Sequence, residues 1–222
     1  QAKADKKAGR VAAEGIVITL VSDDAKQGVI LEVNCETDFV GKDSNFQDFS
    51  QAVAALILKQ QPASVEALMA TAMNGDETVE VARQNLVSKI GENIQVRRFE
   101  CMQSENGMLG KYMHGARIGV MVELEGADDD LCKDVAMHIA ASKPVCVDES
   151  GVAPELIQKE KDIFVAQAEA SGKPEAIIEK MVEGRLRKFL GEITLLGQPY
   201  VKDPDKTVAK LLSEKSSTAV SF

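Results

Sequence analysis

The run Gly28-Val-Ile-Leu-Glu-Val33 returns further along the chain as Gly119-Val-Met-Val-Glu-Leu124, and each copy leads through an acidic loop into a helical pattern. This repetition constrains the fold more than any other feature. A strand with one apolar face cannot stand alone in water, so each copy calls for paired strands and a covering helix. Internal self-similarity of this kind predicts two related α+β halves. Any β-loop-α unit alternates in a comparable way, and chance likeness is the competing explanation for so short a run.

Reading outward from each copy supplies the rest of its half. The run Gly15-Ile-Val-Ile-Thr-Leu-Val21 is rich in β-branched residues and precedes a turn over 22–28, which predicts an antiparallel hairpin with Val29–Val33. Asp43 and Ser44 then offer caps for a helix in which Phe46, Phe49, Val53, Leu56 and Ile57 recur at spacings of three and four. A short helix is predicted over Ser64–Ala72, a longer one over Thr78–Ile90 that Gly91 ends, and a strand over Ile94–Cys101. In the second copy Leu109–His114 and Ala116–Leu124 form the hairpin. Asp128–Asp130 cap the helix that follows, and Leu131, Val135 and Ile139 make its stripe before Pro144. The first stretch, Gln1–Ala13, is basic and Ala-rich and suits a short helix or arm.

The third section differs in kind. Pro154 stands where a helix favours proline, Leu156/Ile163 and Ile157/Phe164 lie seven apart, and Ser171-Gly-Lys-Pro174 closes one helix and opens another. The second arm lines up Ile178, Val182, Leu186, Phe189 and Ile193 against a polar face of Glu179, Lys180, Glu183, Arg185, Arg187 and Lys188. Such a pair reads as an antiparallel helical hairpin inserted into the second half. The chain then returns after Pro199 and Pro204 to a last short helix carrying Val208, Leu211 and Leu212. The expected fold class is therefore α+β, two related halves each with a small antiparallel sheet covered by helices, plus the inserted hairpin. The expected domains are 1–107, then 108–146 with 196–222, and the hairpin over 147–195.

Composition excludes several functions. With 26 Lys and Arg against 35 Asp and Glu, the formal charge of −9 disfavours direct binding to phosphate backbones. Apolar runs such as Ala52–Leu58 fall short of the ~20 residues that cross a bilayer, so no membrane role is expected and the chain reads as cytoplasmic. Cys35, Cys101, Cys132 and Cys146 lack CxxC spacing and are expected as free thiols. The chain opens at Gln1 without Met, as a fragment would.

Chemistry is sparse. Nothing matches a phosphate-binding GxxxxGK[ST] loop, and Gly115-Ala-Arg-Ile-Gly119 falls inside a hairpin. His114 at a hairpin turn and His138 in a helix have no second ligand at metal spacing. Cys132 and His138 lie six apart, about 240 degrees around a helix, and read as a buried thiol and a helix-surface imidazole. No catalytic group, cofactor or metal is expected. The informative stretch is Asn34-Cys-Glu-Thr-Asp-Phe-Val-Gly-Lys-Asp43, in which Thr37 and Asp38 suit capping. Phe39 is a large apolar group where no periodicity asks for one. It either packs on its own helix or is offered to a partner's pocket.

Leu31-Glu-Val-Asn-Cys-Glu-Thr-Asp-Phe-Val40 closely resembles the signature of the elongation factor Ts family. The likeness continues through Lys89-Ile-Gly-Glu-Asn93, Arg97-Arg98, His114-Gly-Ala-Arg-Ile-Gly119, Ala140-Ala-Ser-Lys-Pro144 and Ser171-Gly-Lys-Pro174. Met181-Val-Glu-Gly-Arg185 and Gly197-Gln-Pro199 also match. The resemblance implies a guanine-nucleotide exchange factor for elongation factor Tu, with no active site of its own. It implies that Thr37, Asp38, Phe39 and Val40 approach the GTPase near its Mg²⁺ site, Phe39 wedging between helices while Asp38 helps fix the approach. It carries further partner contacts onto Ile90, Gly91 and His114, each of which also has a plain reading as helix-end apolar residue, cap glycine and turn histidine. Family members also begin with a small helical module and end with a further strand and C-terminal segment, which the resemblance leads one not to expect here. Gly41 stands where Ala is usual. The hairpin over 147–195 is implied to join two copies or to touch the GTPase. A non-catalytic adaptor that assembles through the hairpin is the alternative function.

Overall fold

A computed structural model describes residues 6–170 and 172–222; Gln1–Asp5 of the basic segment and Ser171 of the Ser171-Gly-Lys-Pro174 turn lie outside the described residues. The chain is a mixture of helices and small antiparallel sheets, and it divides into two compact units, Gln1–Glu123 and Leu124–Phe222.

The first unit is built on β1 (Glu14–Val21) and β2 (Gln27–Cys35), followed by the one-turn helix α1 (Asp38–Gly41) and the long helix α2 (Ser44–Gln60). Next come α3 (Val65–Met69), a short ribbon of β3 (Ala72–Asn74) and β4 (Glu77–Thr78), α4 (Val79–Ile90), β5 (Gln95–Gln103), β6 (Met108–His114) and the start of β7 (Ile118–Glu125). Strands β1, β2 and β5 form an antiparallel sheet with β2 in the centre, in register from Glu14↔Cys35 to Val21↔Gly28 on one side. Strand alternation puts Val29, Leu31, Val33 and Cys35 on one face, and all four are fully buried. Helix α2 covers that face with Phe46, Phe49, Val53, Ala54 and Ile57; of the stripe expected from its three-and-four spacing, Leu56 is only partly buried and Ala54 takes the fifth buried place. Full burial of each large side chain here contributes roughly 1.5–3 kcal/mol. Gly15 is indispensable at its place: with φ 148°, a Cβ there would lie 2.2 Å from the Val33 carbonyl oxygen of the neighbouring strand.

The hairpin of β6 and β7 groups by packing with this first unit. Leu109 N–H donates to the Ala25 carbonyl at 2.8 Å, and Val17 N–H donates to the Ala116 carbonyl at 2.7 Å. The boundary between compact units thus falls after Glu123, inside β7. The basic arm, where described, forms turns over Lys6–Gly9 rather than a helix.

The second unit holds α5 (Asp129–Ser142), a 3-10 turn (Glu149–Gly151), α6 (Pro154–Glu169) and α7 (Glu175–Ile193), then a ribbon of β8 (Pro199–Tyr200) and β9 (Asp203–Thr207), α8 (Val208–Glu214) and β10 (Thr218–Ser221). Helices α6 and α7 pack on each other: the Phe164 and Phe189 rings meet edge-on at 6.4 Å, and the Arg185 guanidinium donates to the Gln167 amide oxygen at 2.8 Å. Two features of this unit correct the sequence reading. A strand, β10, follows the last short helix, where the sequence reading has none. His138, read as a helix-surface imidazole, is completely buried. Its position explains why: it lies seven residues after Leu131 and three after Val135, on the same apolar face.

Candidate partner-contact site

Thr37 occupies the N-cap position of α1, yet its side chain makes no cap hydrogen bond. The hydroxyl instead donates to the Glu92 carboxylate at 2.7 Å, and the same carboxylate accepts from the backbone N–H groups of Glu36 and Thr37 at 3.1 and 3.0 Å. Glu36 answers from the other side. Its carboxylate accepts from Asn93 N–H at 2.7 Å and faces the Arg10 guanidinium at 3.6 Å. The Asn93 side-chain amide in turn donates to the Arg10 carbonyl at 2.7 Å. The entrance to α1 is therefore fixed by residues that follow α4, some 55 positions along the chain.

Within α1 the four residues divide by depth. Val40 is 8 % exposed and belongs to the core, whereas Phe39 beside it is 80 % exposed. Asp38 is exposed and bonded to Lys42 at 3.0 Å, and the hydrogen bond from that ammonium holds the Asp38 carboxyl below its ordinary value. The Cys35 thiol donates to the Thr37 carbonyl at 3.1 Å. Burial, with the charges of Glu92 and Glu14 adding to it, pushes that thiol up to about 11, so it stays protonated and is a poor nucleophile.

The other anticipated contacts fall in two places. Ile90 and Gly91 end α4 immediately before Glu92, so the clasp brings them to the same corner as Thr37–Val40. Ile90 packs half-buried against the core. Gly91 takes the left-handed conformation at φ 90°, its N–H donates to the Val87 carbonyl, and its own carbonyl accepts from the Lys7 ammonium. His114 stands apart at the end of β6, exposed, with Tyr112 its ring's partner at 3.3 Å. The turn it opens runs along β1 through Ala116, the strand against which α1 also packs.

Sequence reasoning missed Glu92 and Glu36 as members of this corner. The sequence signal is weak: two acidic residues 56 positions apart, one beside a cap glycine and one beside Thr37. Among the described residues, no group of three or more His, Cys, Asp or Glu side chains is arranged to hold a metal ion, and no helix is long and apolar enough to cross a membrane.

A large aromatic side chain held out from a fixed backbone beside the exposed Asp38–Lys42 ion pair is a surface suited to protein contact. Sequence comparison sharpens the class. The family profile described as Elongation factor TS matches residues 36–222. Elongation factor Ts of Methylococcus capsulatus is 59% identical over 221 residues, covering 100% of this chain and 75% of the relative. Elongation factor Ts of Thioalkalivibrio sulfidiphilus is 62% identical over 212 residues, 95% of this chain and 72% of the relative. That of Legionella pneumophila is 54% identical over 222 residues, 100% of this chain and 76% of the relative. The chain belongs to the elongation factor Ts family.

Proposed function

We propose that the chain acts in translation elongation as a guanine-nucleotide exchange factor for elongation factor Tu, promoting GDP release by inserting the Thr37–Val40 turn near the Mg²⁺ site of the GTPase. The observation that carries this reading is Phe39, 80 % exposed on a turn whose next residue is buried. Such a side chain brings its apolar area to a partner with little loss of its own packing and with its direction already set. Family membership and the relatives' shared name supply the partner. Phe39 is the wedge, Thr37 and Val40 anchor it, Asp38 meets the partner beside it, and Ile90, Gly91 and His114 add contacts.

Exchange is then a coupling between two binding events. A factor that binds the empty GTPase more tightly than the GDP-bound form weakens GDP by the same ratio that GDP weakens the factor. Contacts made equally in both complexes raise affinity without driving release. In the same reading, residues 1–107 and 108–146 with 196–222 are two related halves, and the helical pair within 147–195 is an inserted hairpin that serves self-association or contact with the GTPase. The activity belongs in the cytoplasm and involves no nucleic acid or membrane directly. Stopped-flow release of a fluorescent GDP from elongation factor Tu tests the proposal. Acceleration by this chain is the expected result; binding without acceleration identifies an adaptor instead.

A further inference from the structure

We propose that Glu92 is a positioning residue for the Phe39 wedge, aiming it by clasping the start of α1; the inference rests on the exchange reading above. Helix α1 has only four residues, too few to repay its own nucleation, and it has no side-chain cap. What stands in for a cap comes from outside. Both Glu92 oxygens are used, one on the Thr37 hydroxyl and the other on the Glu36 and Thr37 N–H groups. A carboxylate accepting three donors in this way forms charge-assisted bonds, stronger than neutral ones. The return bond from Asn93 N–H to the Glu36 carboxylate makes the clasp reciprocal, so two residues on each segment lock the other pair.

The clasp sits where it governs direction instead of stability. Phe39 lies between Thr37, held by Glu92, and Val40, held by the core. Fixing both flanks leaves its Cα–Cβ vector little freedom. Val33 and Cys35 of β2 and Leu86 and Val87 of α4 all belong to one buried apolar core, so the fold does not rest on Glu92. Glu92 is itself no part of that apolar cluster. Without it, the remaining contacts still bind a partner, but the wedge spends less time in the inserting pose. That lowers the rate reached at saturation more than it raises the concentration needed to reach it.

Hydrogen exchange of the free chain and GDP release from elongation factor Tu, measured on Glu92→Ala, Glu92→Gln, Phe39→Ala and the Glu92→Ala/Phe39→Ala pair, test this. Glu92→Ala is expected to melt close to the parent, to speed exchange of the Glu36 and Thr37 amides, and to lower the saturating release rate about tenfold with half-saturation little changed. Glu92→Gln should fall between, because its amide oxygen still accepts while its NH₂ meets donors. In the Phe39→Ala background Glu92→Ala should add nothing further, since an aiming residue has no effect once the wedge is gone. The proposal is overturned if both amides stay as protected as in the parent. It is equally overturned if release is unaltered by Glu92→Ala while Phe39→Ala abolishes it, or if Glu92→Ala costs the same factor with and without Phe39. Parental release by Phe39→Ala would instead overturn the wedge reading, and amide protection alone then decides whether Glu92 orders the turn.

Discussion

Helices α1 and α2 follow one another in the chain and are held up in opposite ways. The long helix carries its own support: Asp43 accepts from the N–H groups of Asn45 and Phe46, and five apolar residues on one stripe are buried beneath it. The short helix has neither. Its Thr37 leaves the cap position unused for Glu92, and its largest apolar side chain points into solvent. An element supported locally is a scaffold, whereas one supported from elsewhere, with an apolar group exposed, is suited to touching a partner. The contrast can be attacked from both ends.

The largest effect belongs to the scaffold. Phe46 is fully buried at the first turn of α2, so Phe46→Ala should cost about 3–5 kcal/mol in denaturant unfolding, from lost transfer energy and the cavity left behind. A loss under about 1 kcal/mol would mean that α2 does not carry the core of the first unit.

Remote support recurs in the second unit at His138, and its loss should rank next. Val201 N–H donates to Nδ1 at 3.2 Å, which leaves Nε2 to carry the proton and donate to the Gln198 amide oxygen at 2.9 Å. The Gln198 NH₂ is fixed in turn on the Glu192 and Ser142 carbonyls at 2.9 and 3.3 Å. Gln198→Leu should therefore cost about 1–3 kcal/mol by orphaning the buried imidazole N–H. Burial holds the His138 pKa below its usual 6.5, although the Gln198 bond works the other way. The folded chain then binds fewer protons than the unfolded chain, so stability rises with pH in this window. That stabilisation is complete above about pH 6.5 and is lost as the pH falls from there toward the folded value. Melting curves from pH 7 to 5 should show the decline, and His138→Gln should flatten it; an equal slope in both proteins would assign the decline to other groups.

Asp43→Ala should cost about 1 kcal/mol, the ordinary worth of a helix cap. Thr37→Val should cost less in stability than this, because the core still holds Val40. A larger loss from Thr37 than from Asp43 would invert the comparison and make α1 the structural element.

The same contrast decides what the sequence reveals. Asp43, the stripe through Ile57, the Gly91 cap and the hairpin of β1 with β2 are written in residues near one another, where spacing and residue type carry the signal. Phe39 announced itself by breaking the pattern. The clasp did not, because a carboxylate accepting backbone N–H groups from a distant segment leaves no periodic trace. The ribbons of β3 with β4 and β8 with β9, at two to five residues per strand, are too short to alternate visibly. The Leu131, Val135 and Ile139 stripe does not reveal His138, because the buried face of α5 is wider than that stripe and includes Cys132, Ala136 and His138.

The smallest expected change in stability coincides with the largest expected change in function, and one variant measures both. Phe39 is 80 % exposed, so Phe39→Ala should shift the unfolding free energy by less than about 0.5 kcal/mol. If Phe39 is the wedge of the proposed function, the variant should lose at least about thirtyfold in GDP release from elongation factor Tu, the scale of a hot-spot side chain. The decisive measurement is the saturating rate of fluorescent GDP release with the parent chain and with folded Phe39→Ala side by side. A stable variant that binds the GTPase yet hardly accelerates release is the predicted result; a stable variant that releases GDP as fast as the parent would contradict the account.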